Sequence, residues 1–433
     1  MSTTRSVTEP VPGAAVTSAS RRLKHVCCLV AGGTPSVDDP ANWSEGDDGV
    51  PWAVIGDMSG TDFVGSTTRH VSSLGIAAKN LPLSTLQTVL FAMYASVGAV
   101  ARPKIQLSWN QAILGLEPFT DAADSRFLSY WLRALKPRLS EFLRSNTQDN
   151  LNAESVGNLP FPAHVPGHQR AIADFLDAET ARIDALIAKK RRMIDLLNDR
   201  HAGLFQSTAS TFGLQEPTGL KGWLTNLPQG WRQFQLGRTL VQLTNGYVGP
   251  TRDLLRDDGV PYVQSLHIKA GRIDFSRRPY FVGPEWHRER PRIHLRQGDV
   301  LIVQTGDVGQ VAVVPAEFGE ASCHALQIAR VRPDLLTGQY LAAYLQSPFG
   351  YQSLLSRATG ALHPHLEAGI RDLPVPVPPL GTQNAIVTLV SGAARKIESV
   401  VAAITRQLDL LAEHRQALIT AAVTGQIEIP VPA

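Results

Sequence analysis

"NLPFPAHVPGHQRAIADFL", Asn158 to Leu176, is answered 214 residues later by "DLPVPVPPLGTQNAIVTLV", Asp372 to Val390. Each copy passes from a Pro-punctuated apolar segment into a helical pattern. Proline disfavours helix in the residue before it and makes a stiff exit from a strand, so both copies mark the end of a folded part and the start of a helix. Self-similarity at so long an interval means two like halves.

Outward from the copies the halves stay in register. "VPWAV" at Val50 answers "VPYVQ" at Val260, and "VLFAMYASVGAVA" at Val89 answers "VLIVQTGDVGQVA" at Val300, at offsets of 210 and 211. Beyond the junction, "ARIDALIAKKRRMIDLLNDRHAGLF" aligns with "RKIESVVAAITRQLDLLAEHRQALI" without a gap. The order is globule, helix, globule, helix. The boundaries expected are a loose tail over 1–20, a first globular domain over 21–165, a long helix over 166–212, a second domain over 213–379, a second long helix over 380–425 and a C-terminal tail over 426–433. Short Val, Ile and Phe runs broken by Gly, Pro and Asp predict mixed α/β globules.

The bulk numbers agree with more than one domain: 433 residues, 43% of them apolar, suffice for two cores. A net charge of +3 neither demands nor repels a nucleic-acid partner. Cys27, Cys28 and Cys323 form no even disulfide framework and no CxxC zinc pair, which fits a reducing cytosol. The first twenty residues have no apolar core, so they read as a tail and not as a signal peptide. The apolar stretch from Leu83 to Ala101 is interrupted by Ser, Thr and Gln, which excludes a membrane span there, and the expected location is cytoplasmic.

The two helical parts carry the strongest periodic signal. Ile183, Ile187, Lys190, Ile194, Leu197, His201 and Leu204 recur at alternating steps of four and three, as do Ile397, Val401, Ile404, Leu408, Leu411, Arg415 and Leu418. That is the coiled-coil period, with the aliphatic members forming the seam of a helix pair. His201 and Arg415 interrupt it at the same repeat position, where a long amphipathic side chain can snorkel and set register. A helix from about His168 to Gln206 would span on the order of 60 Å, more than one globule needs. Chain order favours antiparallel pairing with the second copy. The fold expected is therefore mixed α+β, with two similar domains held apart by two long antiparallel coiled-coil helices about an internal pseudo-two-fold axis.

Two-fold related modules on a rigid spacer match a duplex, whose half-sites on one face lie about 34 to 36 Å, or a multiple, apart. The halves agree in helices and central strands and diverge between them, so the target expected is bipartite and asymmetric. Charge points to the divergent segments. Between Val263 and Asp299 stand Lys269, Arg272, Arg277, Arg278, Arg288, Arg290, Arg292 and Arg296 against four acids. The first half offers Arg69, Lys79, Arg102 and Lys104. Arginine suits both phosphate clamping and bidentate reading of guanine, and these twelve are the DNA-contact candidates; the bland reading of each is a solvated, ion-paired loop. "KKRR" at Lys189 reads as a solvated helix face. His363, His365 and Glu367 alternate in "HPHLE" without a fourth ligand, so the reading is a polar turn and no metal.

Self-contained catalysis finds no support. "NLPF" at Asn158 lacks the central Pro of an adenine methyltransferase's Asn-Pro-Pro-Tyr motif and has a structural twin in "DLPV". No GxxxxGK[ST] loop cradles a nucleotide, and no Glu-x-Lys follows a Pro-Asp as many nucleases require.

The chain resembles the specificity subunits of Type I restriction-modification enzymes. "AGGTPS" at Ala31, "VPW" at Val50, "SVGAVA" and "DVGQVA", the junction "PGHQRAIADFLDAETARIDALIAKKRR" and the ending "RQALITAAVTGQIEI" follow that family's pattern in order and spacing over nearly the whole chain after the tail. The resemblance implies two target-recognition domains on long antiparallel helices, double-stranded DNA as ligand, and no catalysis or cofactor in this chain. It further implies two modification (methyltransferase) subunits bringing S-adenosylmethionine, and restriction subunits adding ATP- and Mg-dependent translocation and cleavage. The first half departs from the pattern by opening "RRLKHVCCL", where the second opens "GWRQFQLG"; Asn110 and Gln111 of the first half face His324 and Ala325 in the second. The alternative is an antiparallel coiled-coil assembly scaffold that binds no DNA sequence.

Overall fold

Val89–Ala92 and Val300–Val303 are unbroken apolar runs, as a strand covered on both faces requires, and all eight residues are buried in the computed structural model. The structure describes residues 20–430 apart from 47, 143–150, 218, 220, 221, 223–225, 270, 361–364 and 367. The chain divides into two units, Met1–Lys189 with Arg406–Ala433, and Lys190–Thr405.

In the first unit the principal strands and helices are β1 (Cys27–Ala31), β2 (Val50–Ala53), β3 (Arg69–Val71), β4 (Val89–Ala92), β5 (Val100–Pro103), β6 (Ile113–Pro118) and α1 (Ser125–Leu135). The main sheet runs β1, β6, β4, β5 and then Phe63–Val64. Leu114 pairs with Phe91, and Gly115 with Leu90. A smaller sheet holds Trp43–Ser44, β3, β2 and Ser108–Trp109, with Trp52 beside Ser108 in a parallel pair. Helix α1 starts where the Asp124 carboxylate accepts from the amides of Arg126 and Phe127, and its face carrying Phe127, Leu128, Trp131 and Leu135 is buried.

Helix α2 (Pro166–Ala202) and α3 (Leu204–Thr211) follow, and the second unit continues with β7 (Leu240–Asn245), β8 (Val260–Val263), β9 (Val300–Val303), β10 (Val311–Val313), β11 (Leu326–Val331), α4 (Gly338–Leu345) and α5 (Leu380–Val423). The order of its main sheet, β7, β11, β9, β10, reproduces β1, β6, β4, β5, and Ile328 pairs with Leu301 as Gly115 pairs with Leu90. Tyr262 lies parallel to Ser322 as Trp52 does to Ser108. The opening strands match as well: Ser20–Arg22 pairs with Pro160–Pro162, and Arg232–Gln235 with Pro374–Val377, so the missing Gly-Trp of the first half costs no strand.

One buried glutamine per half joins globule to helix. Gln169 Oε1 accepts from the Asp124 amide at 2.9 Å while its Nε2 donates to Ala122 O and His164 O. Gln383 does the same toward the Thr337 amide, Leu335 O and Pro378 O. Both side chains are wholly buried, and each would leave three backbone groups orphaned if removed.

The long helices run antiparallel. In the first unit Ala171, Ile172 and Leu176 of α2 share a core with Ile419, Ala422 and Val423 of α5, while Asp184, further along α2, meets Arg415, further back on α5. Ile183 is buried and Ile187, Leu408, Leu411 and Leu418 are half-buried. In the second unit Phe205 of α3 shares a core with Ile386, Val387 and Val390 near the start of α5; Leu204, Ile397 and Ile404 are buried, and Ile194, Leu197 and Val401 half-buried. The first helix does not continue unbroken to Gln206. Gly203 interrupts it, whereas Ala417 holds that repeat position in α5, which runs on to Val423. Among the described residues no helix is long and apolar enough to cross a membrane. Cys27 and Cys323 are buried and Cys28 exposed, all three as free thiols.

Candidate nucleic-acid interface

In the first half the segment between β2 and β3 turns back so that Arg69 emerges beside two tryptophans. The Thr67 hydroxyl fixes this turn, donating to Arg69 O at 2.8 Å and accepting from the Trp52 amide at 3.2 Å. Trp43 and Trp52 meet edge to face, 5.0 Å between ring centroids, and each indole N–H is satisfied, by Ser36 O and Gly33 O respectively. The Arg69 guanidinium lies 3.6 Å over the Trp43 ring and 5.6 Å from that of Trp52. Beside it opens a polar cavity of about 280 Å³ bounded by Ser44, Gly46, Thr67, Thr68 and His70. Stacking removes rotamer freedom from the arginine and leaves its N–H fork available, which is preorganisation for a planar acceptor pair.

The second half builds a like device from unlike sequence. Tyr262, the counterpart of Trp52 on β8, meets Trp286 edge to face at 5.7 Å, and Tyr247 meets the same indole at 5.2 Å. The Arg290 guanidinium lies 4.5 Å over Trp286 and donates to Trp286 O at 2.9 Å and to Glu289 at 3.1 Å. Trp286 sits on the short helix Pro284–Arg288, which follows the strand Phe281–Val282 as the helix Ser73–Lys79 follows β3, but in different sequence.

The remaining candidates fall into separate groups. Arg102 on β5 and the exposed Lys104 both approach the Phe63 ring, at 4.9 and 4.6 Å. Lys79 ends the helix Ser73–Lys79 and is exposed. Lys269, Arg277 and Arg278, with Ser265 and Asp307, surround a cavity of about 340 Å³, and Arg278 reaches it with φ +66°. Arg288 faces Glu285 at 3.9 Å, and Arg292 and Arg296 are exposed. Arg272 is engaged elsewhere: both its contacts, at 2.7 and 3.0 Å, go to the Glu398 carboxylate on α5. On α2, Lys189, Arg191 and Arg192 are exposed. His363 and Glu367 lie outside the described residues, and His365 Nδ1 meets Thr305 Oγ1 at 2.7 Å.

Charge counting found the arginines and missed the rings under two of them. The available signal was a tryptophan inside each divergent, Gly-, Pro- or charge-rich segment, "NWSEGDDG" and "PEWHRER".

The sheet that backs the second device is fixed by buried polar contacts. His287 Nδ1 meets Ser322 Oγ at 2.8 Å and its ring stacks on His294 at 3.8 Å. Burial, and then the neighbouring His294, hold the His287 pKa below the usual histidine value. Asp299, buried, accepts from Arg330 at 2.7 and 2.8 Å and from the Arg296 amide at 2.9 Å.

Comparison with known proteins finds relatives of the chain by sequence and by fold. Residues 16–195 match the profile of the Type I restriction modification DNA specificity domain. The Type I restriction enzyme EcoBI specificity subunit of Escherichia coli is 21% identical over 333 residues, 73% of this chain and 69% of that protein. The StySPI specificity subunit of Salmonella potsdam is 26% identical over 212 residues, 46% of this chain and 44% of that one. Among solved structures, a chain from work on complex assembly and conformational transition of the type I R-M system superimposes with a TM-score of 0.71 at 17% identity, covering 97% of this chain and 100% of that one. The HsdS subunit of Thermoanaerobacter tengcongensis gives 0.52 at 18% identity, over 97% and 99%.

Proposed function

We propose, from the premise that this chain belongs to the family of Type I restriction-modification DNA specificity subunits, that its two globular domains each read one half of a split, asymmetric DNA target. The observation that carries the reading is the pair of aromatic-backed arginines. Arg69 on Trp43 and Arg290 on Trp286 stand beside equivalent positions of equivalent sheets, Trp52 and Tyr262, yet come from non-equivalent positions of the two halves. A common frame with different contact residues is what two unlike half-sites need. Arg102, Lys104, Lys79, Lys269, Arg277, Arg278, Arg288, Arg292 and Arg296 supply phosphate or base contacts around these two. Arg272, an exposed side chain that also pairs with Glu398, stays among these candidates.

In this reading the chain catalyses nothing and chooses where partners act. Two modification subunits carry S-adenosylmethionine and methylate adenine; restriction subunits, where present, use ATP and Mg in the same cytoplasmic assembly. Helical partners are supported by a second apolar row on α2, where Leu186, Met193 and Leu196 are 42%, 50% and 53% exposed outside the seam.

The experiment is methylation mapping of genomic DNA from cells expressing this chain with a modification subunit. A two-part motif with modified adenine in each part is the expected result. Random or absent methylation, together with salt-independent DNA binding by the complex, would leave the coiled-coil scaffold as the function, since counterion release makes phosphate-engaged binding steeply salt-dependent.

A further inference from the structure

The first unit fills a crevice that the second leaves open. Tyr130 of α1 reaches toward α2, where its hydroxyl donates to Asp177 Oδ1 at 2.7 Å and lies 3.2 Å from Thr180 Oγ1. Next to it Arg133 pairs with Asp62 at 3.1 Å, and Arg415 bridges Asp62 and Asp184.

The repeat fixes the counterparts without ambiguity. The hydrogen bond from Trp131 Nε1 to Pro160 O recurs as Tyr344 OH to Pro374 O, and the Gln169 clamp recurs at Gln383. On that register Tyr130 becomes Ala343, Arg133 becomes Gln346, Asp177 becomes Ser391 and Thr180 becomes Ala394; Arg415 becomes His201 and Asp184 becomes Glu398. All six line one cavity of about 490 Å³. Its floor is apolar, formed by Phe205, Val313, Val387 and Val390, and Arg272, paired to Glu398, stands at its side. The largest truncation, tyrosine to alanine, sits where the first unit places its ring.

We propose that this cavity is a socket for an aromatic side chain with a hydrogen-bonding tip, a tyrosine in the first place, carried by a protein partner and doing in trans what Tyr130 does in cis. The occupant's chemistry follows from the repeat itself: the same backbone frame around the same two long helices is completed internally on one side by a phenol. The volume is that of a specific ligand pocket and exceeds one ring, leaving room for the residues that flank it. An apolar floor takes the ring, while Gln346, Ser391 and His201 offer donors and acceptors to the hydroxyl. An aromatic anchor in a pocket is also the usual centre of a protein interface. The proposal rests on the reading that this chain works in an assembly, with the modification subunit as the partner that supplies the side chain.

The test uses the full chain and p-cresol, the tyrosine side-chain analogue, followed by ligand-observed NMR. Saturable binding to the wild-type chain, its loss in Ala343→Tyr, and displacement of p-cresol by the modification subunit are expected. Ala343→Tyr also lowers affinity for that subunit at least about tenfold, because the socket is filled in cis. Displacement needs no variant, so a misfolded Ala343→Tyr does not remove the test. Absence of p-cresol binding overturns the proposal. So does p-cresol binding that the modification subunit leaves undisturbed, which would assign the cavity to a small molecule. A wild-type chain that fails to bind the modification subunit at all sinks the assembly reading, whereas intact assembly with no displacement sinks the socket alone.

Discussion

Arg415 of α5 donates its Nε to Asp184 of α2 at 3.0 Å, and its Nη2 turns to Asp62 of the first globule. One guanidinium thus ties both long helices to the domain they carry. Burial works against its charge, but the hydrogen bond to Asp184 and the field of Asp62 outweigh it and hold the pKa above the usual arginine value. Replacing Arg415 by Met removes the charge and leaves Asp62 beside Arg133 only. The expected loss of stability is about 2 kcal/mol, below the figure for a fully buried pair because the Asp184 side chain is half exposed. Adding Asp62→Asn should return part of it. Chemical denaturation of the four species of this cycle measures the coupling; strictly additive losses would show that the bridge contributes nothing.

The glutamine clamps predict matched behaviour across the repeat. Gln169→Leu and Gln383→Leu each orphan one amide and two carbonyls inside the fold. Each should cost about 3 kcal/mol. Hydrogen exchange localises the damage: the first variant should loosen the N-terminus of α1 and the second that of α4. Equal protection in variant and wild type at those amides would remove the clamp from the list of elements that fix globule to helix.

How much of this was legible beforehand depends on sequence distance. The central strands, the junction and the two long helices were, because period and repetition are local signals: Val300–Val303 is an apolar run and Ile397, Ile404 and Leu411 keep heptad spacing. The break at Gly203 was not read, because the expected helix ran through it to Gln206 on its heptad period, although Ala417 holds that position in the unbroken α5. Pairings set by tertiary folding were not. Asp62 and Arg415 are 353 residues apart, and nothing near Arg272 announces Glu398. Charge density put Arg272 among DNA contacts, although its partner is a carboxylate on α5. The ring beneath Arg69 escaped for the same reason, since Trp43 is brought under it by chain reversal, whereas Trp286 stands four residues before Arg290 and was within local reach.

Arg69 and Arg290 should separate the two half-sites. Arg69→Ala weakens binding of the assembled complex to DNA by roughly tenfold, about 1.4 kcal/mol, and relaxes only one half of the motif; Arg290→Ala relaxes the other. Arg69→Lys should behave like the alanine variant, because an ammonium neither stacks flat on Trp43 nor offers a planar fork. Binding titrations against targets scrambled in one half at a time supply the readout. A uniform loss on both halves would reassign the residue to general electrostatics.

Acid should weaken the second unit. His267, His287 and His324 are each held below the ordinary histidine value, in every case by burial first. Unfolding exposes them and restores a pKa near 6.5. Between that value and the lower folded ones the unfolded chain binds more protons, so stability rises with pH through the interval. The contribution is complete above about pH 6.5 and is lost as pH falls through the folded values. Calorimetry from pH 8 to 5 should therefore give a flat Tm down to about 6.5 and a decline below it. His287→Gln preserves a partner for Ser322 Oγ, 2.8 Å from Nδ1, while deleting one titration, and should make that decline shallower. Hydrogen exchange at acid pH assigns the loss to β8, β9 and β11; a Tm that climbs on acidification would reverse the sign argued for all three histidines.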